Sequence, residues 1–311
     1  MIKIIYVGDF MLNNVIGYVR KDGRKYEKTK ESFGKIFRKI FCKVKIEYIR
    51  EDVLFLIPNY KKYGKIMLKK ISRQIKKYAK QNEIKELIFE ENLDFMKEKF
   101  NEYYISKGKM IMKNNVLNIF QYIFRINKSN INLENAYILV NEYNKQNTYI
   151  INELVENFKT VNIITENIRK YRKLENYWYE EGVLITVSNN KRKSLKNAKY
   201  IVNIDFDKNK ILMYNINSSS IIINVADEDI VLKSNFNGVL INNIELQIDK
   251  NKEDFVNEFY GNINKKIFLE AIIKKNIKKL EYIKKINQEY GVKIEELTGV
   301  RGKLENNEFL V

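Results

Sequence analysis

The chain has 311 residues, of which 45% are hydrophobic, 13% aromatic and 31% charged, enough to bury a large core and unlike a disordered sequence. It contains no histidine and one cysteine, Cys42, which excludes His-dependent nucleophilic triads, multi-cysteine zinc sites and an internal disulfide. Cysteine usage this sparse leads us to expect a cytoplasmic setting.

The net charge of +18 is unevenly spread. Residues 1–130 hold 30 Lys/Arg and 14 Asp/Glu, whereas residues 131–311 hold 27 and 25. A field concentrated on the first part attracts polyanions, nucleic acid or an anionic membrane surface. Against that, 47 of the 57 cations are lysines, point charges in a composition that is also rich in Asn and Ile, so solvated lysine faces are the plain alternative.

In chain order, the opening Met1–Phe10 is a short apolar run followed by polar residues. It reads as a strand, Ile2–Val7, with no leader pattern. The longest apolar stretches, Val53–Pro58 and Ile221–Ala226, fall short of the roughly 20 residues of a membrane span. Further strands are expected at Val44–Ile49, Val53–Ile57 and Glu86–Phe89, with a hairpin about Asp22-Gly23. A helix from Gly64 to Gln81 sets Met67, Ile71, Ile75 and Tyr78 on one face and Lys65, Lys69, Lys70, Arg73, Lys76, Lys77 and Lys80 on the rest. A second helix is expected over Leu93–Tyr104 and a third over Asn114–Ile126, followed by a linker at Asn127–Asn135.

Downstream, strand and helix alternate. The strand Ala136–Val140 precedes the helix Thr148–Phe158, and Val161–Thr165 precedes the helix Arg169–Glu180. Strands follow at Val183–Val187, Ile201–Asp205, Ile211–Tyr214, Ile221–Val225 and Val239–Ile241. Continuous apolar strands alternating with helices predict a parallel sheet covered on both faces, with ligand-binding loops at its carboxyl edge. The chain closes with a long helix from Lys266 to about Glu289, ended by Gly291. The expected domains are a basic α/β domain over 1–130, a parallel α/β domain over 131–265, and a helical segment over 266–311 that packs back on both.

From about Ala136 to Leu246 the pieces AYILVNEYNKQNT, YIINELVENF, VNIITEN with RKYRKL, KSLKNAKYIVNID, SIIINVADEDI and FNGVLINNIEL come in a recognisable order. They resemble the NAD(P)-binding domain of the shikimate dehydrogenase and glutamyl-tRNA reductase group. The resemblance implies an α/β fold of two domains, the second a Rossmann-like parallel sheet flanked by helices. It also implies NADP as a possible cofactor. The first crossover turn, Val140–Thr148, contains no glycine, although a dinucleotide cradle uses glycine where backbone meets pyrophosphate. Asn141, Asn144 or Asn147 are the candidates to make the turn, and Thr148 or Asn147 to cap the helix. With Thr165, and with Arg169, Lys170 and Arg172 placed toward a ribose 2′-phosphate, they form the expected cofactor-binding set.

The chemistry of that group is thin in the first domain: there is no histidine beside Cys42, and residues 1–130 contain no Ser-x-Ser. No catalytic residue and no metal site are assigned. Ala226-Asp227-Glu228-Asp229 closes one strand, and Asp205 and Asp207 flank the end of another, so both acidic sets belong at the carboxyl edge. The reading is a divergent relative of NAD(P)-dependent dehydrogenases, either non-catalytic or an NADP-dependent oxidoreductase, whose interdomain cleft takes a small anionic ligand or none. The alternative is a nucleic-acid-binding or assembly protein that uses the basic first domain.

Overall fold

A computed structural model describes residues 15–23, 43–49, 52–60, 62–232, 234–275 and 281–309. The expected strand Ile2–Val7, Cys42 and the middle of the expected long C-terminal helix lie outside them. The chain forms two compact units, one of Met1–Lys107 with Ile248–Tyr282, the other of Gly108–Gln247 with Ile283–Val311.

In the first unit, β1 (Ile16–Lys21), β2 (Lys45–Ile49), β3 (Asp52–Ile57) and β4 (Glu86–Phe89) form a sheet in the order β2-β3-β1-β4. β1 is parallel to both β3 and β4, while β2 runs antiparallel to β3. Both edges of β1 are therefore taken by parallel partners, and the second arm of the expected Asp22-Gly23 hairpin lies outside the described residues. Parallel central strands are apolar on both faces, and every residue of β3, DVLFLI, is buried. The helix α1 (Lys65–Gln81) lays Ile71, Ile75 and Ala79 onto Val19, Phe55, Leu87 and Phe89.

Where an α-helix was expected over Leu93–Tyr104, the chain winds as a 3₁₀ segment, Glu91–Phe100, burying Leu93, Met96 and Phe100. Leu93 and Met96 stand three apart, the spacing that a three-residue turn places on one side. The helices Lys250–Tyr260 and Lys265–Lys275 complete this unit. They are tied in by Arg20, whose Nη1 donates to the carbonyls of Glu258 and Phe259 at 2.9 Å each. Lys274 adds ion pairs to Glu270 at 2.8 Å and Glu86 at 3.2 Å, its ammonium 3.6 Å from the centre of the Tyr104 ring.

The second unit is built on six parallel strands: β5 (Asn135–Leu139), β6 (Thr160–Ile164), β7 (Ile185–Ser188), β8 (Tyr200–Asn203), β9 (Ile221–Asn224) and β10 (Val239–Ile241). Their order is β10-β9-β8-β5-β6-β7, and every neighbouring pair is parallel. Numbered from the first strand, this is 6-5-4-1-2-3, the doubly wound dinucleotide-fold order, whose direction of winding reverses between β5 and β8. Helices α2 (Lys109–Lys113), α3 (Val116–Ile126), α4 (Lys145–Val155) and α5 (Ile168–Glu180) belong to this unit.

Phe120 and Phe124 of α3 pack on Phe158 and Tyr200, with ring centres 4.7 to 6.1 Å apart. The opposite face of the sheet is closed by Leu195, Ala198, Phe206, Ile211 and Tyr214 over Leu139, Ile164 and Ile201. Two expectations change here. Ile211–Tyr214, read as a strand, lies in a short helix, Lys208–Leu212, and the turn after it, because Asp207 caps the helix by accepting from the Lys210 N–H at 2.9 Å. α4 begins at Lys145, three residues before the expected start. A small antiparallel sheet, β11 (Asn243–Gln247), β12 (Lys293–Gly299) and β13 (Gly302–Lys303), completes the unit. Among the described residues no helix is long and apolar enough to cross a membrane.

Candidate functional site

Ligands of doubly wound sheets sit beyond the carboxyl ends of the strands where the winding reverses. In this chain that place lies between the loop after β5 and the loop after β8. The β5 loop, Asn141 to Asn144, makes its turn with no residue in the left-handed region: among the described residues only Glu83 and Lys128 are non-glycine residues with positive φ. The expected left-handed turn at Asn141, Asn144 or Asn147 is thus absent. The helix cap is Asn144, whose side chain accepts from the Asn147 N–H at 2.9 Å, in place of the expected Asn147 or Thr148. Thr148 Oγ1 donates back to the Asn144 carbonyl at 2.9 Å, and buried Asn147 donates through Nδ2 to the Glu142 carbonyl at 2.7 Å.

The decisive group comes from the far side of the switch point. Asp205, just past β8, accepts the Asn141 N–H on Oδ1 at 2.7 Å and the Glu142 N–H on Oδ2 at 2.8 Å. A carboxylate that accepts from two consecutive backbone N–H groups satisfies both of them, so the protein's own side chain takes two donors that the β5 loop turns toward the switch point. The loop's acceptors are engaged as well. Tyr171 of α5 donates to the Glu142 carbonyl at 2.7 Å, Asn167 Nδ2 donates to the Asn141 carbonyl at 2.7 Å, and Asn141 Oδ1 accepts the Glu166 N–H at 2.8 Å. Thr165, fully buried, accepts the Asn167 N–H at 3.0 Å and lies 3.5 Å from Asn141 Oδ1.

Arg169, Lys170 and Arg172 stand exposed in the first two turns of α5. The structure therefore brings Asn141, Asn144, Asn147, Thr148 and Thr165 together as one hydrogen-bonded turn and leaves the three cations on the surface.

Burial pushes the Asp205 carboxyl above its ordinary range, although the two backbone N–H donors and the charge of Lys113 pull the other way. Lys113, at the end of α2, moves in the complementary direction. Burial lowers its ammonium, partly opposed by Asp205, Asp227 and Glu142. Beside it, Lys109 binds Asp229 at 2.7 Å and the Asn242 carbonyl at 2.6 Å. Among the described residues no group of three or more acids, histidines or cysteines is placed to hold a metal ion.

Sequence reasoning missed the strongest feature of this edge. Asn203, Asn224 and Asn242 end or follow β8, β9 and β10 and are buried. Asn203 Nδ2 donates to Asn224 Oδ1, and Asn224 Nδ2 to Asn242 Oδ1, each at 2.8 Å. The outer members clamp the loops: Asn203 holds the Phe206 N–H and carbonyl at 2.9 Å each, and Asn242 donates to the Ile230 carbonyl at 2.9 Å. The signal was present as three apolar strands each closing on asparagine, YIVN, IIIN and VLIN.

A dinucleotide fits this turn poorly. Two of the turn's N–H donors are engaged by Asp205, no glycine opens the backbone, and Asp205 and Glu142 add negative charge beside it.

No protein-family model and no curated protein matches the sequence. Among solved structures, the chain is similar to a shikimate dehydrogenase in complex with NADP+, at 11% identity and a TM-score of 0.34 over 91% of this chain and 92% of that one. It is also similar to the shikimate 5-dehydrogenase of Listeria monocytogenes in complex with shikimate and NAD, at 10% identity and a TM-score of 0.27 over 88% and 96%. A third is the aspartate transcarbamoylase of Trypanosoma cruzi, at 12% identity and a TM-score of 0.26 over 71% and 75%. None of these likenesses assigns a role to a residue of this chain.

Proposed function

We propose that this chain is a divergent, non-catalytic relative of the NAD(P)-dependent dehydrogenases, in which an internal carboxylate has taken the coenzyme's place at the switch point. The observation that carries this reading is Asp205 accepting both the Asn141 and Glu142 N–H groups. For NADP to bind there, Asp205 would have to leave two charge-assisted hydrogen bonds, each worth about 1.5–3 kcal/mol, and the pyrophosphate would meet Glu142. The exposed Arg169, Lys170 and Arg172 offer only solvent-screened attraction in return.

Isothermal titration with NADPH and NADP+ tests the reading. It predicts no saturable heat up to millimolar coenzyme. Saturable binding at micromolar concentration would overturn it.

A further inference from the structure

α1 carries seven cations, Lys65, Lys69, Lys70, Arg73, Lys76, Lys77 and Lys80, and no acid in its 17 residues. At about 100° per residue, all seven fall within an arc of about 140°, while Ile71, Ile75 and Ala79 point into the core. Lys65, Lys69, Arg73, Lys77 and Lys80 are exposed and have no ion pair among the described residues; Lys76 pairs with Glu102 at 2.5 Å. An ordinary solvated helix relieves such a row with carboxylates at i+4. This one instead presents a line of positive charge about 22 Å long.

We propose that this face of α1 docks the phosphate backbone of duplex nucleic acid, without reading its sequence. Charge complementarity selects a polyanion. Along one strand of a duplex the phosphates rise about 3.4 Å each, so the row spans roughly six of them. The face provides no stacking platform for bases: the one aromatic residue of α1, Tyr78, is engaged by the Tyr48 hydroxyl and the edge of Phe55. A lipid surface fits less well, because the apolar side that would insert is spent on the core and Ile66 is the one large apolar residue exposed on the helix. Six of the seven cations are lysines, which suits contact with phosphate as point charge in place of bidentate recognition.

Fluorescence anisotropy with a labelled duplex at several salt concentrations tests this, using the full chain and two variants at Lys69, Arg73 and Lys77, one with all three changed to Glu and one with all three changed to Gln. The wild type is expected to bind at low salt. The Gln variant should flatten the log–log salt slope by about 2.7, three phosphate contacts at about 0.9 each, and the Glu variant should lose at least about tenfold in affinity. The control, Lys191→Glu with Arg192→Glu and Lys193→Glu, changes net charge equally on exposed residues of the other unit and should bind as wild type. Circular dichroism confirms folding of each variant, and the Gln variant carries the test if the Glu variant misfolds. Absence of binding at low salt, equal losses in the α1 and control variants, or binding to phosphatidylserine vesicles without binding to duplex would each overturn the proposal.

Discussion

Tyr171 shows how one side chain both fastens the crossover turn and reports on it. Its hydroxyl donates to the Glu142 carbonyl at 2.7 Å, and burial foremost, with the nearby carboxylates of Asp205 and Glu142, raises its phenol above the ordinary value. For a group whose folded pKa is raised, the stabilising contribution is complete below the unfolded value, about 10 for tyrosine, and is lost as pH climbs through the folded value. Burial raises Tyr78 and Tyr200 as well, each to about 12, so thermal stability should fall steeply on the alkaline side. Tyr171→Phe removes one hydrogen bond and should cost about 1 kcal/mol near neutrality. Because phenylalanine cannot ionise, the melting-temperature gap between wild type and variant should narrow as pH rises above about 10. A gap that stays constant across that range would show that the hydroxyl is not held as described.

The asparagine ladder, Asn203 to Asn224 to Asn242, joins the carboxyl ends of β8, β9 and β10 and fixes the loop that carries Asp205. Asn224 is its centre, fully buried, and also donates to the Glu228 carbonyl at 2.9 Å. Asn224→Ala leaves neighbouring buried amides without partners, so it should cost about 2–4 kcal/mol in denaturant unfolding, and a cost under about 0.5 kcal/mol would contradict the ladder's role. At this scale the sequence was most legible where burial on both faces writes an unbroken apolar run, as in β3, β5 and β9. It misled where an apolar run was short: Ile211-Leu212-Met213-Tyr214 has a strand's composition, but the cap at Asp207 decides for helix. β12, KIEELTG, escaped notice because adjacent Glu295 and Glu296 break its alternation and it pairs only in a small antiparallel sheet. α1 was readable throughout, since seven cations against one apolar stripe leave a single orientation.

For the molecule as a whole, the two-unit α/β architecture with a doubly wound parallel sheet follows from patterns present in the chain: apolar strands, interleaved helices and turns that place loops at one edge. The missing glycine in the first crossover was equally plain. What filled its place was not, because Asp205 lies more than 60 residues away from Asn141 in sequence and reaches it only through the β8-β5 pairing. No local pattern encodes which of several strand-end acids will accept those two N–H groups; the strand order does.

The most direct test is an amide NMR experiment on Asn141 and Glu142. The two resonances should titrate together with a midpoint above the ordinary aspartate value of about 3.9, reporting the Asp205 carboxyl, and in Asp205→Asn that titration should vanish. Neither resonance should move on addition of NADPH to millimolar concentration. Resonances that ignore Asp205 yet shift saturably with the coenzyme would show an open cradle and contradict the account.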